Sequence, residues 1–141
     1  MNARVVPPTV ADAMHRFPKL CAPGATVADL QILFLDRHVH AALLVADGRL
    51  LSVVERGDLA GATDDRPALA LGRLEGRTIE PAADLEDTRQ RMVAGQIRRL
   101  AVVDRQMRLL GLLCLKRSGL GFCSDADVAE RAAGRIEGSG Q

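Results

Sequence analysis

Two short stretches place an oxygen-bearing side chain three residues before an aspartate: Glu55 before Asp58, and Ser124 before Asp127. At a strand-to-helix turn such a pair could be two ligand-binding oxygens. The same spacing serves a helix N-cap with an acidic residue in the first turn, and demands no ligand. Both readings stay open for Ser124 and Asp127. Arg98 and Arg99 supply planar guanidinium groups suited to a phosphate or carboxylate, or else form a solvated edge. His38 and His40 are two apart and titrate near neutral pH, or are ordinary edge residues. The thiols are Cys21, Cys114 and Cys123. An odd count with no secretion signal predicts reduced thiols, although Cys114 and Cys123 flank one inserted stretch and could approach each other.

What must position these groups is a sequence of 141 residues with 48% hydrophobic and 26% charged side chains, the balance of one folded domain or two small halves sharing a core. Net charge is +1 with the signs interspersed, and the aromatics are Phe17, Phe34 and Phe122, so neither a broad basic surface nor a base-stacking platform is predicted. No apolar run is long enough for a bilayer, and the N-terminus lacks a signal-like apolar stretch. The expected location is the cytoplasm, with no nucleic-acid or membrane partner. Zinc-type spacings, a phosphate-binding glycine loop and a nucleophile elbow are all lacking, so no catalytic or metal site is predicted.

The chain repeats itself. Moving the sequence by 58 residues carries Pro23 onto Pro81, Val27 onto Leu85, Asp29 onto Asp87 and Val45 onto Val103. After a one-residue slip, Leu50 falls on Leu109. Such self-similarity predicts one supersecondary unit used twice. Each unit opens with an extended piece (19–21, 77–79) stopped near a proline, followed by a helix start: Thr26 with Asp29, and Asp84 with Asp87. The first helix is predicted from Val27 to about Arg37, burying Val27, Leu30, Leu33 and Phe34. The second runs from Leu85 to Ala94, burying Leu85, Thr88 and Met92, with Gly95 as its C-cap. Apolar runs at 41–45 and 50–54, joined by the turn Asp47-Gly48, predict a hairpin; 100–103 and 109–115, joined through 104–107, predict its copy. A short closing helix is expected near 57–59. Its counterpart, from 125 to about 136, follows the two-glycine insertion 116–121.

The second copy, GQIRRLAVVDRQMRLLGLL (95–113), resembles the CBS (cystathionine β-synthase type) domain, and VHAALLVADGRLLSVVERGDL (39–59) is similar to the same pattern. Ala101 stands where the family commonly has proline. The resemblance covers 9 to about 133. It implies an α+β fold, with two β-α-β-β-α repeats packed in pseudo-twofold symmetry. The expected boundaries are a first repeat at 9–62, a connection at 63–76, a second repeat at 77–136 and a disordered tail at 137–141; 10–14 looks like the lead-in segment. The implied function is a stand-alone regulatory or sensory module, not an enzyme, often dimeric, binding an adenosine ligand such as AMP, ATP or S-adenosylmethionine between its sheets. The alternative is a dimeric interaction module without ligand that regulates a separate protein.

In ligand-binding members a Gly-hydrophobic-hydrophobic-Thr/Ser-x-x-Asp pattern holds the ribose. In the first repeat Asp58 fits this pattern and Glu55 replaces the hydroxyl. In the second, direct alignment puts Cys114 and Arg117 at the two positions. A register that jumps the insertion, Gly121-Phe122-Cys123-Ser124-Asp125-Ala126-Asp127, fits throughout, provided that 116–121 loops out and returns the chain to the strand end. Cys21 and Ile79, at the ends of the extended pieces, join Glu55, Asp58, Arg98, Arg99, Ser124 and Asp127 as ligand-binding candidates.

Overall fold

The computed structural model describes residues 6–123. Ser124, Asp127, the helix expected at 125–136 and the tail at 137–141 lie outside the described residues. Within them the order is α1 (Val10–Ala13), β1 (Leu20–Cys21), α2 (Val27–Leu33), β2 (Ala41–Ala46), β3 (Arg49–Glu55), a 3-10 turn (Arg56–Leu59), a second one (Leu69–Leu71), β4 (Thr78–Ile79), α3 (Leu85–Gly95), β5 (Arg99–Val103) and β6 (Leu109–Cys114). They form two sheets of three strands, β1-β2-β3 and β4-β5-β6. In each, a short first strand lies parallel to the middle strand and a hairpin completes the sheet antiparallel. The mixed α+β architecture with a duplicated unit is as the sequence implies.

The repetition extends to irregularities. The hairpin register shifts between Leu44 and Val45 in one sheet, and between Val102 and Val103, the positions 58 residues on, in the other. Bulges of this kind bend a strand and increase its twist. Asp47 and Gly48 both take positive φ, 52° and 79°, the conformation a two-residue hairpin turn demands.

The apolar runs are continuous because the middle strands are covered on both faces. Ala42 and Leu44 pack with Val27, Leu30, Phe34 and Val54 against α2. Leu100, Val102 and Leu113 pack with Met92 and Val10 against α3 and the lead-in. The alternate positions, Leu43, Leu50, Val53, Ala101 and Val103, meet between the sheets. Side chains alternate across a strand, so one run fills a helix-facing core and an inter-sheet core together. Backbone hydrogen bonds from Leu50 N to Met107 O (2.9 Å) and Leu109 N to Gly48 O (3.0 Å) tie the hairpins of the two repeats to each other.

Helix starts follow the predicted chemistry. Thr26 Oγ1 accepts from Asp29 N at 3.3 Å while the Asp29 carboxylate accepts from Thr26 N at 2.9 Å, a reciprocal box; Asp84 accepts from Asp87 N at 2.9 Å. The ends differ from expectation. α2 stops at Leu33, and Arg56 donates to the carbonyls of Phe34, Asp36 and Val39, giving the freed 34–39 backbone its partners. α3 includes Gly95, and the left-handed cap is Gln96, φ 57°. Gln96 N and Ile97 N still satisfy the last carbonyls, so the cap sits one residue later without losing its bonds.

Candidate functional site

Two clefts open where the sheets meet the connections leading into β2 and β5. The larger, about 560 Å³, has an apolar wall including Leu33, Val39, Leu43 and Leu112, with His15, Lys19, Asp36, His40, Arg99 and Cys114 as its polar or reactive groups. The smaller, about 450 Å³, is lined by Glu55, Arg73, Arg77, Arg98, Arg99 and His40 among others. His40 and Arg99 therefore belong to both.

The clefts are related by the repeat. The shift of 58 residues that carries Pro23 onto Pro81 also carries Lys19 onto Arg77 and His40 onto Arg98, so nitrogen-bearing side chains match at the two sites. Local sequence gave Lys19 and Arg77 no distinction as ends of extended pieces. Their equivalence under the repeat is the signal that could have found them. His40 was visible only as one of a histidine pair, and its partner His38 is exposed.

In the first repeat the ribose-type pair is already engaged. Asp58 accepts from Glu55 N at 2.8 Å, as the N3 partner of the N-cap Glu55 in the 3-10 turn. Its two oxygens also take both terminal nitrogens of Arg77, at 2.6 and 3.1 Å. Arg77 Nη1 further donates to the Val53 carbonyl at 2.8 Å, and Glu55 lies 3.2 Å from Nη2. Partial burial pushes the Asp58 carboxyl up, but the Arg77 hydrogen bond, the Glu55 amide and the Arg77 charge together hold it below the usual carboxylate range. Asp58 is thus a structural anchor, and Glu55 is the carboxylate of the pair that lines the smaller cleft.

In the second repeat the insertion folds back. Lys116 N donates to Gly121 O at 2.8 Å, Leu115 bridges Phe122, and Cys123 N donates to Cys114 O at 2.7 Å. Residues 115–122 form a small hairpin that brings the chain back to the end of β6. A disulfide joins Cys114 to Cys123, with Cα atoms 5.4 Å apart, which corrects the expectation of three reduced thiols. The reason is spatial: the fold-back sets the two cysteines opposite each other, where spacing alone gave them only a shared insertion. Cys21 is the free cysteine among the described residues, and burial raises its thiol pKa.

The other candidates separate. Arg98 and Arg99 are not a solvated edge. Arg99 is buried and donates to the carbonyls of Arg98 and His38, and Arg98 Nε donates to Leu115 O. Cys21 lines a separate groove beside Ala25 and Asp29, and Ile79 packs into the core under α3, so neither lines the two clefts. The extended pieces alternate their side chains, and these two residues point into helix-facing packing.

Positive charge concentrates where the clefts adjoin. His40 is pushed down to about 4, first by burial and then by Arg99, Arg98, Arg56 and His38. It is neutral at pH 7. In Arg99→Met the imidazole pKa should move back toward the ordinary value, read by NMR titration of the His40 ring; an unchanged value would show that Arg99 does not set it. Among the described residues, no group of three His, Cys, Asp or Glu is placed to hold a metal, and no helix is long and apolar enough to cross a membrane.

A family model described as CBS domain matches residues 10–65 and 77–117. Solved structures share the fold across nearly the whole chain. CBSX2 in complex with AMP is 24% identical, with 92% of this chain and 98% of that one covered and a TM-score of 0.65. The CBS domain protein PAE2072 from Pyrobaculum aerophilum, complexed with AMP, is 22% identical, with 89% and 98% covered and a TM-score of 0.64. The CBS domains of a transcriptional regulator from Streptococcus pneumoniae are 17% identical, with 86% and 97% covered and a TM-score of 0.63. No curated protein matches by sequence.

Proposed function

The chain belongs to the CBS domain family, and on that premise we propose that it is a regulatory module whose larger cleft binds an adenosine nucleotide, with AMP the first ligand to test. The observation that carries this is the composition of that cleft: an apolar wall facing Lys19, His40 and Arg99. Apolar walls with a few convergent polar groups suit a flat base, and the charges of Lys19 and Arg99 suit a phosphate. Asp36, at the same cleft, offers a carboxylate to sugar hydroxyls. AMP bound by two solved proteins of this fold supports the reading. The smaller cleft is the weaker site, because Asp58 is committed to Arg77 and Glu55 adds negative charge beside any phosphate.

The module acts by binding rather than turnover, as a homodimer that passes its state to a separate protein. Exposed Phe17 and Leu20 give β1 and its approach an apolar surface fit for such contacts. Calorimetric titration with AMP, ATP and S-adenosylmethionine tests the ligand. Binding should be saturable, and Arg99→Met should weaken AMP by at least about tenfold, the loss of one charge-assisted contact. No heat and no thermal shift with any of the three would sink the nucleotide reading. It would leave the alternative, a ligand-free interaction module.

A further inference from the structure

The proposed nucleotide site makes no use of the Cys114–Cys123 disulfide, yet the disulfide borders it. Cys114 ends β6 and lines the larger cleft, and Cys123 ends the hairpin made by the insertion. The first repeat has nothing comparable. There β3 runs directly into its 3-10 turn, and the junction is held by Asp58 through the Glu55 amide and the Arg77 guanidinium. In the second repeat a covalent bond stands at the equivalent junction. Among the described residues the hairpin is anchored at its base by the buried Leu115 and has few further ties. Beyond its internal bonds it is tied by Leu115 N to Arg98 O (2.9 Å), Arg98 Nε to Leu115 O (3.0 Å) and Arg89 Nη1 to Gly119 O (2.8 Å). Phe122 packs on the second core, while Leu120 at the tip is 84% exposed. A segment with few apolar contacts and exposed backbone bonds opens readily, so removing one cross-link changes its order substantially.

We propose that Cys114 and Cys123 are a thiol–disulfide exchange site, closed by a low-molecular-weight disulfide such as oxidised glutathione, and that their state sets how firmly residues 115–123 are held on the strand walling the larger cleft. In closing, the thiolate of Cys123, which ends the hairpin, attacks one sulfur of the glutathione disulfide and releases one glutathione thiolate. The Cys114 thiolate then attacks the Cys123 sulfur of the mixed disulfide and releases the second. The two cysteines lose two electrons and two protons, and the glutathione disulfide becomes two thiols. Cys21 has no thiol opposite it, and burial disfavours its thiolate, so it stays outside this exchange. The link between redox state and ligand affinity rests on the nucleotide reading; the exchange site itself does not.

The test equilibrates the full chain with oxidised glutathione, or with a phosphine reductant. Differential alkylation and mass spectrometry read the cysteines, and hydrogen exchange reads the hairpin amides. Oxidation should give a peptide pair linked through Cys114 and Cys123 with Cys21 alkylated. Reduction should speed exchange at Lys116, Gly119 and Cys123 by at least about tenfold. Cys21→Ser should respond like the parent chain, and Cys123→Ser should show the fast exchange in both conditions. Alkylation of all three cysteines after oxidised glutathione, or equal exchange in the two states, would overturn the proposal. AMP should bind the oxidised form about fivefold more tightly, because a fixed wall lowers the ordering cost; equal affinities would overturn the coupling to the cleft. If AMP binds neither form while the linked peptide and the exchange change persist, the exchange site is supported and the nucleotide reading alone fails.

Discussion

Replacing Arg77 by methionine should destabilise the protein by about 3–5 kcal/mol, the cost of breaking a buried ion pair from one side. Arg77 is 6% exposed. It is one point at which the second repeat grips the first, since Arg77 immediately precedes β4 while its partners Asp58 and the Val53 carbonyl belong to the other unit. Its loss leaves the partly buried Asp58 carboxylate with the Glu55 amide but no countercharge, and takes from the Val53 carbonyl one of its two donors, the other being Arg73 N. Both penalties exceed the modest gain from a well-packed methionine. Urea unfolding should show the midpoint falling at unchanged slope, and Asp58→Asn should cost less, because its amide oxygen can still accept from Arg77. A double-mutant cycle should return a coupling of more than about 1 kcal/mol. No change in Arg77→Met would show that the sheets alone hold the repeats together.

The same pair sets an acid limit. Asp58 is depressed in the folded state relative to an unfolded aspartate near 3.9. Below that value the unfolded chain takes up the proton first, so it binds more protons than the native state and stability rises with pH across the window. The contribution is fully present above about pH 4–5 and is lost as pH falls through the folded value. Arg77→Met should flatten this part of the stability profile.

Gly111→Val should act through backbone approach instead of charge. A Cβ on Gly111 would stand 2.7 Å from the His15 carbonyl oxygen and 2.8 Å from Met14 Sδ, inside normal contact. The lead-in lies on β6 here, with His15 and Leu112 exchanging two backbone hydrogen bonds of 2.8 Å. Only a residue without a side chain allows that closeness within a strand. Overpacking should cost about 1–3 kcal/mol, and fast amide exchange at His15 and Leu112 should follow. His15 also walls the larger cleft, so AMP should bind about tenfold more weakly, a loss near 1.4 kcal/mol. Retained protection at His15 would show that the lead-in absorbs the side chain elsewhere.

The sequence by itself determined the repeat, the α+β class, the hairpins and the helix starts. These depend on interactions within a few residues or on periodicity: Thr26 with Asp29, the Asp47-Gly48 turn, and runs apolar on both faces because both faces are covered. It also singled out Arg98 and Arg99, and posed the condition that 116–121 must turn back, which the bonds between Cys114 and Cys123 meet. The partners of those groups came only with the tertiary structure. Arg77 reaches Asp58 across 19 positions of chain, Arg99 reaches His38 across 61, and Cys114 finds Cys123 through a hairpin whose glycines mark a turn but not its partner strand. Each pairing is fixed by how two twisted sheets dock and where their ends converge, and no local pattern encodes that. The sequence therefore offered Asp58 as a candidate ligand residue, while the packing of the second sheet pairs it with Arg77 and sets Lys19, His40 and Arg99 along the larger cleft.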